Sequence, residues 1–128
     1  MTEYITAEEI KDQLLTGRVT DEEIATANGY VDRLAGVYNI QKVTVTPMAK
    51  KLAAAVACAE CCLHLIGTDA SAMIGGHEDA YAVKYRLYKN RVEDLRNKIL
   101  KADFLSDEEK DDEEERGAWT RAVSISRS

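Results

Sequence analysis

A single proline, Pro47, and seven glycines in 128 residues leave this chain few places where a helix must break. Such a composition favours helix from the start. The three cysteines, Cys58, Cys61 and Cys62, fall within five residues of one another. That spacing is no disulfide framework, and a reducing compartment is expected. The opening residues MTEYITAEEI are charged and hold no apolar signal region, so secretion is not expected. The longest apolar stretch, 52–66, is interrupted by Glu60 and His64 and is rich in alanine, too short and too weakly apolar to span a bilayer. Gly75–Gly76 lacks the spacing and the preceding strand of a phosphate-cradling loop.

Positive charge is also missing as a field. The net charge of −6 is concentrated in DEEKDDEEER at 107–116, which sets eight acids against two bases. The first 106 residues are left nearly neutral, with 15 acids and 13 bases, and Arg121 and Arg127 follow the acidic run. Nothing here supplies the counterion release that drives nucleic-acid binding. The charge shift divides the chain into a body, 1–105, and an acidic segment with an extended tail, 106–128. With 45% hydrophobic residues overall, the chain is long enough to bury a core without metal or disulfide.

The body reads as an all-α bundle of about four helices. Thr6 with Glu9 has capping-box spacing, with Ile5 and Ile10 as the flanking staple and Gly17 as a stop. Thr20 and Glu23, flanked by Val19 and Ile24, repeat the pattern for a second helix whose apolar positions Ile24, Ala27, Val31, Leu34 and Tyr38 recur at helical spacing. Residues 39–46 read as an extended connection. Thr46 and Pro47 then open a third helix, to Ile66, that is apolar nearly all round and therefore central. Residues 67–77 read as a loop, and His77, beside Glu78 and Asp79, as the start of a fourth helix. That helix carries the stripe Tyr81, Tyr85, Tyr88, Val92, Leu95 and Ile99, with Lys84, Arg91, Glu93, Asp94 and Lys98 opposite. Ser106 with Glu109 has cap spacing for one more marginal helix, stopped by Gly117.

Each candidate for chemistry has a plainer reading. Cys58, Cys61 and Cys62 share a helix face, as two metal-binding thiolates would, but no second ligand pair stands beside them and cysteine also packs as a small apolar residue. His64 and His77 could serve as bases, yet no oriented nucleophile accompanies them in the sequence. Tyr81, Tyr85 and Tyr88 could stack bases, but their spacing is that of a packing face. The expectation is therefore no catalytic site, no metal and no cofactor. The tail differs. Trp119, Val123 and Ile125 are apolar residues beyond the body, and alternation places them with Arg121 on one face of an extended strand. These four residues are the candidate partner-binding site, by strand addition to another protein.

The order of elements, with YITAEEI at 4–10, a capped helix ending near Tyr38, a proline-initiated alanine-rich helix at 47–66 and YRLYKNRVEDL at 85–95, resembles the head–tail connector (adaptor) proteins of long-tailed bacteriophages. The resemblance covers most of residues 1–105. It implies a structural virion protein, made in the host cytoplasm and placed in the neck of the particle. There it would form a homo-oligomeric ring, dodecameric in the family, between the portal protein and a stopper or tail-completion protein after DNA packaging. DNA would pass through the ring without specific binding, no membrane would be involved, and the C-terminal tail would reach into the portal. The acidic run at 107–115 has no counterpart in that pattern. The rival expectation is a small acidic regulator, or nucleic-acid mimic, that binds a host protein.

Overall fold

Thr20 and Glu23 close a capping box in the computed structural model of the chain, which describes residues 2–40, 42–68, 73–74 (backbone only) and 78–106. The Glu23 N–H donates to Thr20 Oγ1 at 3.4 Å, and Glu23 Oε1 accepts from the Thr20 N–H at 3.0 Å. This opens helix α1, Asp21–Val37, which ends at Tyr38; Asn39 turns the chain through a left-handed φ of 60°. Thr46 caps helix α2, Pro47–Leu65, by accepting from the Ala49 N–H at 3.3 Å, with Pro47 at the first helical position. Helix α3, Ala80–Lys98, is capped by Asp79, whose Oδ1 accepts from the Tyr81 N–H at 2.8 Å. The helix thus starts after Asp79, and His77 lies outside the described residues. The expected loop at 67–77 also holds a short strand β1, Met73–Ile74, paired antiparallel with β2, Glu78–Asp79.

Helix α2 lies between α1 and α3 and packs on both. Ten of its residues are buried, including Leu52, Val56 and five alanines on several faces, as an apolar helix at the centre of a layer requires. The small side chains let its neighbours approach closely. The α3 stripe is graded rather than uniform. Tyr81, Tyr88 and Ile99 are buried, while Tyr85, Val92 and Leu95 pack against the core only in part. A turn of 3₁₀ helix, Lys101–Phe104, follows and brings the fully buried Phe104 ring to 5.8 Å from that of Tyr38. The Thr44 N–H donates to the Phe104 carbonyl at 2.8 Å, tying the 39–46 connection to this end.

The expected first helix is not an α-helix, so the described residues hold three α-helices and not four. Residues Ala7–Glu9 form a single 3₁₀ turn, Ile10 returns to extended backbone, and hydrogen-bonded turns carry the chain to Gly17 at a φ of 78°. The local signals were real: the Thr6 N–H does donate to Glu9 Oε1, at 3.2 Å. Burial overrides them. Ile5, Ile10 and Leu15 are all buried, and a five-residue spacing in an α-helix would set successive side chains about 140° apart. Only an irregular path points all three inward. The segment crosses the helical layer, making contacts on α1 through Tyr4, on α2 through Glu9 and on α3 through Asp12.

Candidate functional site

Three polar clusters hold that crossing segment and the helix ends among the described residues. On α1, Asn28 is buried, and its Oδ1 accepts from the N–H groups of Tyr4 and Ile5 at 3.0 and 3.1 Å while its Nδ2 donates to the Ile5 carbonyl at 3.3 Å. One side chain thereby stands in for a strand partner. The Tyr4 hydroxyl donates to Asp32 Oδ1 at 3.2 Å, and burial, then the neighbouring Asp32 charge, pushes its pKa up to about 12.

Asp12 forms the second cluster. Its side chain is only 6% exposed; Oδ2 accepts from the Tyr88 hydroxyl and, at 3.0 Å, from Lys84 Nζ, and Oδ1 accepts from the Leu14 N–H at 2.8 Å. Burial raises its pKa, but the hydrogen bonds from Tyr88, Lys84 and Leu14 outweigh burial and hold the carboxyl below its ordinary value. Tyr88 is raised in turn by burial and by the same bond. The Arg91 guanidinium sits 5.3 Å from the Tyr88 ring centroid. Two members of the expected solvated face of α3 therefore belong to contacts: Lys84 is an ion-pair partner and Arg91 covers a ring. Lys98, paired with Asp94 at 2.9 Å, does lie on the exposed side.

Glu23 forms the third cluster, at the junction of α1 with the end of α2. It is 3% exposed. Its Oε1 accepts from the backbone and hydroxyl of Thr20, but Oε2 is a buried oxygen without a full hydrogen bond. His64 Nδ1 lies 3.4 Å from it, and the Cys61 thiol adjoins the Glu23 carboxyl.

This brings a cysteine, a histidine and a carboxylate together, which sequence spacing did not reveal. The cysteine of this group is shielded from solvent. Cys61 is fully buried, and burial followed by the Glu23 charge pushes its pKa up to about 12. Burial likewise raises Cys58 to about 11 and Cys62 to about 12. A reactive or metal-binding thiol needs the opposite, an accessible and depressed pKa. Among the described residues no group of three or more His, Cys, Asp or Glu side chains is placed to hold a metal ion. The cysteines pack as core residues. The buried rings of Tyr81 and Tyr88 offer no face for stacking a base.

Among the described residues, Leu63, Ile66 and Leu87 are exposed apolar side chains, and two that are more exposed still lie at the end where α1 and α3 finish. Val37 and Leu100 are 74% and 65% exposed, and between them the Tyr38 hydroxyl donates to the Ile99 carbonyl at 3.2 Å. A shallow cleft of about 200 Å³ adjoins it, lined by Tyr30, Arg33, Leu34, Val37 and Arg96. Trp119, Arg121, Val123 and Ile125, the partner-binding candidates, lie outside the described residues, as does the acidic run. No helix among the described residues is long and apolar enough to cross a membrane. No family model, curated protein or solved structure matches this chain.

Proposed function

We propose that this chain is a non-catalytic structural protein of a virus particle, a head–tail connector that assembles as a ring between a portal protein and a stopper or tail-completion protein. The observation that carries the reading is the order of its elements: capped α1, proline-initiated and alanine-built α2, tyrosine-bearing α3, then a tail with isolated apolar residues. The surface adds support. Val37 and Leu100 expose apolar area at the end of the body from which the tail departs, where a partner would gain most from covering it. The buried thiols and the inward-facing tyrosines favour a packing role over a chemical one. Trp119, Val123 and Ile125 serve as the anchors of the tail in the portal, with Arg121 meeting an acidic surface.

The test is assembly. Purified chain mixed with the portal protein encoded in the same genome is viewed by negative-stain electron microscopy. The expected outcome is an added ring on the portal, lost on Trp119→Ala together with Val123→Asp. Failure of the wild-type chain to bind the portal contradicts the reading. The eight acids of 107–116 favour a second reading, an acidic regulator occupying a basic groove on a host protein. That reading predicts competition with DNA for the basic protein and indifference to the portal.

A further inference from the structure

We infer that the cleft between α1 and α3 is the seat of the chain's own acidic run, residues 107–115. The cleft joins two cations to an apolar floor. Arg33 and Arg96 are both exposed, and neither forms an ion pair among the described residues. Tyr30, Leu34 and the largely exposed Val37 line the same cleft. Charge complementarity therefore favours an acidic occupant. Residues 107–115 carry eight carboxylates and one lysine, the strongest negative charge in the chain, whereas the rest of the body is close to neutral.

Connectivity brings the cleft within reach of that run. Phe104 packs on Tyr38, the neighbour of Val37, and the chain passes from there through Ser106 into the acidic segment. Nine extended residues reach about 30 Å, whereas the Tyr30–Val37 stretch of helix is only about 10 Å long. A tether this short holds the run at millimolar effective concentration, so its own cleft is filled ahead of a second molecule's. Seated there, the run directs Gly117 and the apolar residues beyond it away from a fixed point on the body. This assignment stands whether or not the partner of the tail is a portal.

The test uses the full chain carrying Asp112→Cys with a nitroxide spin label. The native thiols are buried with raised pKa values, so the label goes to the new cysteine. At about 0.01 M salt, where charges are felt over about 30 Å, the backbone amide signals of Arg33, Leu34, Val37 and Arg96 should broaden strongly. The broadening should vanish at about 1 M salt, where the screening length is about 3 Å, and in Arg33→Glu/Arg96→Glu, whose exposed positions leave the fold intact. Mixing labelled chains with isotope-enriched unlabelled chains should give no broadening. No broadening at the cleft in the labelled chain overturns the assignment. Broadening in the mixture overturns it too, because a second copy would then be the occupant.

Discussion

Asp12 and Glu23 are both carboxylates taken almost out of water, at 6% and 3% side-chain exposure, yet the protein treats them differently. Asp12 is surrounded by donors: a hydroxyl, an ammonium and a backbone N–H share its two oxygens. Glu23 spends one oxygen on capping α1 and leaves the other short of a partner. A buried carboxylate that is fully partnered fastens two elements together; one that is half partnered is tolerated because it does another task. Asp12 fastens the irregular N-terminal segment to α3. Glu23 starts a helix, and its burial follows from where that helix begins.

The largest effect should come from removing the well-partnered group. Asp12→Ala strands the Tyr88 hydroxyl and the Lys84 charge and should cost about 3 kcal/mol in urea unfolding. A loss under about 0.5 kcal/mol would place Asp12 among ordinary surface acids. The same group predicts an acid dependence. Its folded pKa is depressed, so its contribution is present above the unfolded value of about 3.9 and is lost as pH falls through the folded value. Asp12→Ala should therefore flatten the stability profile below about pH 4. An unchanged slope would assign the acid sensitivity to other groups.

Two lysines on α3 sharpen the contrast further. Lys84→Ala deprives Asp12 of its cation while leaving the Tyr88 bond, and about 1–2 kcal/mol should be lost. Lys98→Ala breaks only an exposed pair with Asp94 and should stay within about 0.5 kcal/mol. Equal values for the two would mean that the Asp12 pair is as solvated as the surface one. Smallest of all should be Glu23→Gln. Glutamine keeps the capping box and brings an amide donor to the place of the unpartnered oxygen, so thermal stability should change by less than about 1 kcal/mol, with a gain the expected sign. A loss as large as that of Asp12→Ala would show that Glu23 Oε2 has a strong partner after all.

What the sequence disclosed were features written in neighbouring residues. The Thr20–Glu23 box, the Thr46–Pro47 start, the all-round apolar α2 and the four-three stripe of α3 each depend on spacings within a few turns, and each forms. The segment before Gly17 looks helical in sequence for the same reason. The Thr6–Glu9 signal is local and is satisfied by a single turn, while the path of the chain beyond it is set by burial of Ile10 and Leu15 against distant elements. The polar clusters were illegible because their partners are remote. Asp12 meets Lys84 and Tyr88 across 72 and 76 residues, and Asn28 meets Tyr4 across 24. No periodicity marks an aspartate between Lys11 and Gln13 as a buried one. The cysteines are legible as core residues because their helix is apolar nearly all round.

In this account the polar clusters hold the fold and the tail end of the body meets the partner. Hydrogen exchange on the full chain, free and bound to the portal protein of the same genome, separates the two most directly. Binding should slow exchange at 117–125 and around Leu100–Ser106, and leave the amides around Asp12 and Lys84 as they were. Protection gathered at Asp12, Leu14 and Lys84, with none in the tail, would place the interface on the N-terminal segment and contradict the account.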